Sequence, residues 1–465
     1  MRLPNFMNGH LDELARGLAP ILAFFLICQP IRNHPTIGVG RRLGHVNEVE
    51  VKWHTLNAIA REVSVQRLKQ TSSEWVQAHS LAANYHARHF RAKQILHVER
   101  LAGSFAELRY HLYQAGRLGE LEAAYPEAGV SPMATLLIPP DEIQNLSPDF
   151  LIGHDRQSGG YAKALQKRVF PQSKRVHFIH TAPEEIEPSK PSRSGTAAKR
   201  GEERVKEQKD QAKDAVLIVG VGPRLAREFG NHVHGAGYAP VHELNPGFDL
   251  DDETPDVAAP VTLPPGVVCL VLGRADDYEL KGLDLAAESM GAVADSWKPM
   301  VLPKLVVRGA PEGKGDELFK KLRGDIHSKR PLPITVREFS DNLEAIQNDL
   351  RGASLLLMPS CVEGFGLVAM EAICRGVPVL VSEQSGIAEI LPHGARDNIL
   401  PTRPDALTPL DAEWTKTWAE AIARILNGRD TAFAAARKLK LEMAAKYTWR
   451  DAIRGFLKAL GVPTP

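Results

Sequence analysis

The stretch that decides the fold is CVEGFGLVAMEAICRG, residues 361–376. The apolar run SLLLMPS precedes it and the apolar run VPVLVS follows it, so two buried strands are predicted on either side. The stretch itself opens as a loop that contains Glu363 and continues as a helix, which Gly376 and Pro378 end. This order of strand, loop, helix and strand is typical of a parallel sheet covered by helices.

The same alternation recurs along the chain in two series. The first series has predicted strands at 149–155, 175–181 and 215–222, and the second runs from 267 to 382. An acidic, proline-rich segment at 251–266 separates them, as linkers and hinges do. We therefore predict an α/β protein with two Rossmann-like, doubly wound domains.

The length of 465 residues also favours two domains, because a single core rarely grows that large. We predict an N-terminal domain at 1–252, in which residues 1–90 carry helical patches but few strands. The second domain is predicted at 253–445. A closing amphipathic helix at 446–465 is expected to pack back toward the first domain.

Composition and charge narrow the class of protein. A hydrophobic content of 43% and a net charge of +1 are ordinary for a soluble globular chain and give no reason to expect nucleic acid as a partner. The four cysteines are scattered without a CxxC motif, which favours reduced thiols and a cytoplasmic location. The apolar run within 18–30 is too short to span a bilayer, so no transmembrane segment is expected, which leaves peripheral membrane contact open.

The motif at 361–376 has the chemistry of a phosphate and polyol site. Ligands of open parallel sheets bind at the carboxyl ends of strands, and the first turn of a helix offers free N–H groups to an anion. Gly364 and Gly366 let the main chain approach a ligand closely. Glu371 is placed to accept hydrogen bonds from vicinal hydroxyls such as those of a ribose, and Glu363 from another polyol. The plain alternative is that both glutamates are solvated surface residues.

Two cations are predicted at the same sheet edge. In GRADDYELKGLD, residues 273–284, Arg274 follows a predicted strand and Lys281 opens the next helix. Together they could clamp a diphosphate. A lone cation at such a position is usually only solvated, but here both cations and the glutamate motif converge on one edge.

Three stretches of the chain belong together: EGFGLVAMEA at 363–372, GRADDYELKG at 273–282 and SEQSGIAEI at 382–390. In combination they resemble the signatures of family 4 glycosyltransferases, which are retaining enzymes with the GT-B fold. The resemblance covers roughly residues 149–460 and includes LNPGFD at 244–249. It implies two domains that face each other across a cleft. It also implies transfer of a sugar from a nucleotide-diphosphate sugar to an unknown acceptor with retention of configuration.

The resemblance implies donor-binding roles for residues of the second domain. Glu371 would bind the ribose hydroxyls, and Glu363 would hold the sugar beside its anomeric carbon. Arg274 and Lys281 would bind the pyrophosphate. The main chain of Gly364, Phe365 and Gly366 would assist Glu363 at the sugar, and the N–H of Leu367 would assist the two cations at the pyrophosphate. No cofactor and no metal ion are expected, since the acidic run ADDYE is better interpreted as a loop than as a Mg²⁺ site.

In the first domain, His180 of HFIHT matches the family's strand-end histidine near the sugar and the departing phosphate, so we expect a catalytic role for it. His154 and Asp155 match a neighbouring loop that faces the acceptor. The alternative for His180 is a histidine that is simply satisfied in a turn. The cleft would close on donor, with 251–266 as the hinge.

Two other functions stay open. Residues 1–60 lack the strand and Gly-Gly loop with which family members usually begin, and this favours a non-catalytic GT-B module that binds a nucleotide sugar as a sensor or effector part. The second function that stays open is that of a different enzyme on the same scaffold, such as a nucleotide-sugar epimerase or a phosphorylase. The lack of a recognisable pyridoxal-phosphate lysine motif counts against the phosphorylase.

Overall fold

The computed structural model describes residues 95–97, 148–187, 197–248, 263–340 and 342–462. Several predictions concern residues outside these ranges: the helical patches of 1–90, the apolar run within 18–30 and most of the linker at 251–266. The described residues divide into two compact units. One holds those up to Phe178 with Gln211–Leu217, and the other holds Ile179–Asp210 with the residues from Ile218 onward.

The first set of strands begins with β1 (Ile95–His97), β2 (Phe150–His154) and β3 (Lys174–Ile179), which pair in parallel in that order. All five residues of β2 are buried, and helix α1 (Asp155–Arg168) packs on that strand. The strands predicted at 149–155 and 175–181 are therefore confirmed.

After β3 the chain forms two helices, α2 (Pro183–Ile186) and α3 (Ala197–Ala212). It then forms the predicted strand β4 (Leu217–Val221), helix α4 (Pro223–Val233) and strand β5 (Val241–Leu244). β4 and β5 are parallel, with Ile218 opposite Val241. Helix α4 buries one apolar stripe, made of Leu225, Phe229 and Val233.

The second set is a six-stranded parallel sheet in the order β11-β10-β9-β6-β7-β8. Its strands are β6 (Val268–Leu272), β7 (Lys304–Ala310), β8 (Ile334–Glu338), β9 (Leu355–Met358), β10 (Val379–Ser382) and β11 (Ile399–Leu400). The helices between them are α5 (Leu283–Ser296), α6 (Gly315–Asp325), α7 (Leu343–Gly352), α8 (Leu367–Cys374) and α9 (Gly386–Ile390), and a 3-10 helix (His393–Asn398) precedes β11.

The order of this sheet places a topological switch point between β6 and β9. From β6 the chain winds outward through β7 to β8, then returns to the other side of β6 and winds through β9 to β11. The loops that leave β6 and β9 consequently emerge side by side at the carboxyl edge, where open α/β sheets bind their ligands. These loops are residues 273–282 and 359–366.

Three helices complete the described chain: α10 (Ala412–Asn427), α11 (Arg429–Lys446) and α12 (Trp449–Ala459). α10 packs on α5, and its fully buried Trp418 joins the core of the second sheet. α12 packs on β5, with Gly455 beside the His242 ring. The predicted α/β fold with two sets of parallel strands is confirmed. The predicted domain boundaries stay predictions, and the first of them, between residues 252 and 253, lies outside the described ranges.

Within the described ranges, no helix is both long and apolar enough to span a bilayer. Among the described residues, the cysteines Cys269, Cys361 and Cys374 are buried.

Candidate functional site

The two loops at the switch point are joined through their main chains. The N–H of Cys361 donates to the carbonyl of Leu280 at 2.9 Å. This contact links residues 81 positions apart in the sequence, which become neighbours because β6 and β9 pair in parallel. It brings the residue before Lys281 next to the segment that leads into Glu363.

Lys281 and Glu363 form an ion pair. Lys281 Nζ lies 2.6 Å from Glu363 Oε2, and the two side chains are 24% and 22% exposed. Partial burial strengthens the attraction between the two charges and also removes water from both of them, so the contact fixes their geometry more than it stabilises the fold. The cation predicted for the pyrophosphate and the carboxylate predicted for the sugar therefore neutralise each other in this structure.

The SEQSG segment holds the loop that contains Glu363. The N–H of Glu363 donates to Gln384 O at 3.1 Å, and the N–H of Gly386 donates back to Glu363 O at 3.2 Å. The N–H of Ile387 donates to Phe365 O at 2.6 Å. Two of the three motifs that carry the resemblance thus form one short parallel ladder.

Helix α8 begins directly at this loop. Gly366 caps it with a φ of +102°, a left-handed conformation that glycine adopts without a Cβ clash. The N–H groups of Ala369 and Met370 donate to Gly366 O, so the first intrahelical bonds start there. The N–H groups of Leu367 and Val368 precede those bonds, which is the arrangement of free donors at a positive helix end that anions favour.

Glu371 lies in the body of α8 and is only 7% exposed. The alternative interpretation, in which Glu371 is a solvated surface residue, is therefore wrong. Burial raises the pKa of its carboxyl group to about 7, although the Arg375 charge opposes the rise. Arg375 itself donates from Nη1 to the main-chain carbonyl of Glu371 at 3.1 Å.

Arg274 lies on the loop after β6, as predicted, but its side chain is 53% exposed. Its Nη2 donates to Asp277 Oδ2 at 2.5 Å, within the same loop. Of the two predicted cations, the structure pairs Lys281 with the glutamate motif and pairs Arg274 with a neighbouring aspartate.

His180 follows β3 and is partly buried. Burial lowers the pKa of its imidazole to about 4, so the ring is neutral at pH 7. The main chain of His180 touches the predicted sugar loop, since a Cβ built on Gly364 would lie 2.8 Å from His180 O. Phe365 is buried in the same region, with its ring against Gly222.

Ion pairs fix the segment that follows His180. The three glutamates of this segment each contact a different basic residue: Glu184 with His232 at 2.7 Å, Glu185 with Arg224 at 2.9 Å and Glu187 with Arg204 at 3.0 Å. The partners come from α3 and α4, so the strand-end position of His180 rests on several elements.

His154 and Asp155 belong to the other unit. They were predicted on a loop, but His154 ends β2 and Asp155 is the first residue of α1. Asp155 is buried with a φ of +36°, an uncommon conformation for a residue other than glycine. The His154 ring packs on Phe178 with centroids 4.7 Å apart, and the main-chain N–H of His154 donates to Ser158 Oγ at 2.8 Å.

Sequence reasoning missed Arg403, which lies after β11 in PTRPDAL and is 2% exposed. It contacts both loops of the switch point through Glu279 and Cys361. No motif marked it, because its role depends on three segments that meet only in the fold. Among the described residues, no group of three or more His, Cys, Asp and Glu side chains is arranged to hold a metal ion.

Comparisons with known proteins bear on the family and the fold. The sequence model of a family described as "Family 4 Glycosyltransferase in conflict systems" matches residues 119–456. D-inositol 3-phosphate glycosyltransferases of Corynebacterium urealyticum and Jonesia denitrificans are 27% and 28% identical, over 51% and 54% of this chain. The matches cover 54% and 56% of those proteins, so the chain spans about half the length of the curated relatives it matches.

Solved structures share the fold. Staphylococcus aureus TarM, in a complex that contains UDP, superposes with a TM-score of 0.52 at 14% identity, over 71% of this chain and 59% of that one. The α,α-trehalose-phosphate synthase of Burkholderia xenovorans gives a TM-score of 0.50 at 13% identity, over 78% and 82%. At such identities the likeness shows the GT-B fold alone. The match over most of the length decides the family: the chain belongs to the family 4 glycosyltransferases of conflict systems.

Proposed function

We propose that the chain is a retaining glycosyltransferase that moves a sugar from a nucleotide-diphosphate sugar to a hydroxyl group of an acceptor. The observation that carries this proposal is the contact between Lys281 and Glu363 at the start of α8. A cation, a carboxylate and a free helix N-terminus meet there at the switch point of a parallel sheet, where such folds bind nucleotides.

The donor would bind along the carboxyl edge of the second sheet. The diphosphate would take Lys281, the N–H of Leu367 and, after leaving Asp277, the guanidinium of Arg274. Glu371 would accept hydrogen bonds from the ribose. The sugar would lie against Glu363 and the main chain of the loop at 364–366. UDP in the TarM complex supports a nucleoside diphosphate as the common part of the donor.

In the proposed reaction, the bond between the anomeric carbon and the diphosphate oxygen breaks while the acceptor oxygen bonds to the same face. The acceptor proton passes to the departing phosphate oxygen. Lys281, Arg274 and the helix dipole stabilise the charge on the diphosphate, which is the usual largest contribution to such catalysis. These groups support a reaction without a metal ion, and undiminished turnover in EDTA would test that part.

His180 would contact the sugar or the departing phosphate as a neutral imidazole. Its pKa of about 4 supports a hydrogen-bonding role and argues against a cationic one at pH 7. His154 and Asp155 would contribute to the acceptor side, which the buried left-handed conformation of Asp155 supports, since strained residues cluster at functional sites.

The test is to incubate the full chain with a panel of nucleotide sugars and measure release of nucleoside diphosphate. One donor should be hydrolysed slowly without acceptor, and NMR of the released sugar should show retained configuration. His180→Ala should slow this release and leave the affinity for the nucleoside diphosphate unchanged. Release with inverted configuration would contradict the mechanism, and no release with any donor would contradict the activity.

A second candidate is a module that binds a nucleotide sugar as a sensor or effector part. The description of the family, which places its members in conflict systems, favours this candidate, because binding alone can serve as a signal. Tight binding of a nucleotide sugar, with no hydrolysis and no transfer to any hydroxyl compound offered, would select it.

A further inference from the structure

A buried arginine joins the two loops that contain the predicted donor residues. Arg403 Nη2 donates to the main-chain carbonyl of Glu279 at 2.7 Å and to Asp284 Oδ1 at 2.7 Å. Its Nε contacts Cys361 Sγ at 3.2 Å. One guanidinium thus reaches the loop after β6, the first turn of α5 and the loop after β9.

These contacts lie directly beside the candidate site. Glu279 is two residues before Lys281, and Cys361 is two residues before Glu363. The Cys361 thiol also donates to the same Glu279 carbonyl at 3.2 Å. The spacing of the two loops, and with it the spacing of Lys281 and Glu363, is therefore set around Arg403.

The apolar surroundings make this arrangement specific. Leu280, Cys361, Val362 and Ala406 form a small buried cluster at the same junction. Burying a guanidinium costs free energy, and a buried ion pair often stabilises a fold no more than apolar residues of the same shape. What the planar, multidonor group supplies is a fixed geometry among several acceptors.

We propose that Arg403 is a positioning residue for the donor, a role that rests on the function proposed above. It does not touch the donor. It holds Lys281 at the distance from Glu363 and the α8 N-terminus at which one diphosphate and its sugar are bound together. Loss of the guanidinium lets the loop after β6 move away from the loop after β9, so the diphosphate loses Lys281.

The first experiment compares two arginines. Calorimetry with UDP, GDP, ADP, CDP and dTDP first identifies the nucleotide that binds the full-length wild type most tightly. Arg403→Met should lower the affinity for that nucleotide ~10-fold, as loss of a charge-assisted contact does. The control is Arg330→Met, since Arg330 Nη1 also donates to main-chain carbonyls, those of Trp297 and Ala294, but away from the two loops. It should change the affinity less than ~2-fold for a similar loss of Tm.

The second experiment asks whether Arg403 acts through Lys281. In a Lys281→Met background, Arg403→Met should lower the affinity for the nucleotide by less than ~2-fold, because the contact between Lys281 and the diphosphate is already gone. Arg403→Lys keeps a charge but lacks the fork, so its affinity should fall between wild type and Arg403→Met. If Arg403→Met does not fold, Arg403→Lys is carried through the same cycle.

Equal, additive losses in both backgrounds would overturn the inference, and so would an Arg403→Met loss no larger than that of Arg330→Met. These outcomes differ from failure of the proposed function. If that function fails, wild type binds none of the five nucleotides. If only the inference fails, wild type binds one, Lys281→Met weakens it, and Arg403→Met does so independently of Lys281.

Discussion

The loop at 359–366 and helix α8 each hold one glutamate of the same motif, and the two carboxylates are stabilised in different ways. Glu363 on the loop is partly exposed and lies 2.6 Å from the Lys281 ammonium. Glu371 in the helix is 7% exposed, and burial raises the pKa of its carboxyl to about 7. The charge of the loop carboxylate is balanced by the Lys281 ammonium, whereas the helix carboxylate is stabilised by taking up a proton.

Because of this difference, the two carboxylates are expected to respond to different changes. A diphosphate that attracts Lys281 competes directly with Glu363 and frees its carboxylate for another partner. Nothing comparable happens at Glu371, where ionisation depends on pH and on polar groups that a ligand brings. In the proposed site, one motif would join a carboxylate that responds to a bound diphosphate with a carboxylate that responds to pH.

The largest effect is expected at the loop. Glu363→Gln should lower donor turnover ~100–1000-fold, as loss of one transition-state contact does. The same variant should bind the nucleoside diphosphate as well as wild type or up to ~5-fold more tightly, because Lys281 no longer has a competing anion. Calorimetry and initial rates measure the two quantities. Weaker nucleotide binding would mean that Glu363 touches the nucleotide and that the different roles assigned to Glu363 and Glu371 are wrong.

The next effect concerns stability and the helix. The Glu371 pKa is raised from 4.5 in the unfolded chain to about 7 in the folded one, so the folded state binds more protons between those pH values. Its stabilising contribution is complete below about pH 4.5 and is lost as pH rises through 7. Glu371→Gln should therefore raise the free energy of unfolding by roughly 2–4 kcal/mol at pH 8.

At pH 4.5 the same substitution should change the free energy of unfolding little, because the native carboxyl is already protonated. Urea denaturation at both pH values measures the difference between variant and wild type. Glu363→Gln is the matched control, since its carboxylate has lost solvent only in part. An equal effect of Glu371→Gln at both pH values would mean that ionisation of the buried carboxyl is not the cause.

Lys281→Met tests the cation that the loop glutamate shares. It should weaken binding of the nucleoside diphosphate by about 1.5–3 kcal/mol, the contribution of a charge-assisted contact. Lys314→Met is the control, because Lys314 also contacts a glutamate, Glu317, at 2.7 Å, but in an exposed pair. Unchanged affinity in Lys281→Met would remove this lysine from the diphosphate site.

The smallest effect is a pH dependence of binding. An ionised Glu371 accepts hydrogen bonds from ribose hydroxyls better than a protonated one, so the affinity should rise several-fold between about pH 6 and pH 8. The nucleotide phosphate titrates in the same range, and Glu371→Gln separates the two contributions. The rise that remains in that variant belongs to the phosphate. An identical rise in wild type and variant would show that Glu371 does not bind the nucleotide.

Much of the fold followed from the alternation of apolar runs with helical spacing. SLLLMPS and VPVLVS predicted β9 and β10, because buried parallel strands need continuous apolar residues. The start of α1 was missed, since its first turn, DRQS, has no apolar periodicity and Asp155 has an unusual main-chain conformation. Such conformations depend on tertiary context that a local pattern does not contain.

For the site, the sequence supplied residue types but not their partners. Lys281 and Glu363 are 82 positions apart, and their contact requires β9 to insert beside β6. The burial of Glu371 requires the packing of α8, which a glutamate in an apolar helix does not by itself decide. Arg403 was invisible for the same reason, because its acceptors come from two segments distant in the sequence, 279–284 and Cys361.

The most direct test is a crystal structure of the chain with a bound nucleoside diphosphate. Diphosphate oxygens are expected within ~3 Å of Lys281 Nζ and of the Leu367 N–H, with the ribose hydroxyls on Glu371. Lys281 should have left Glu363. A nucleotide bound elsewhere, or a diphosphate beside an unbroken pair of Lys281 and Glu363, would contradict the donor site proposed for this chain.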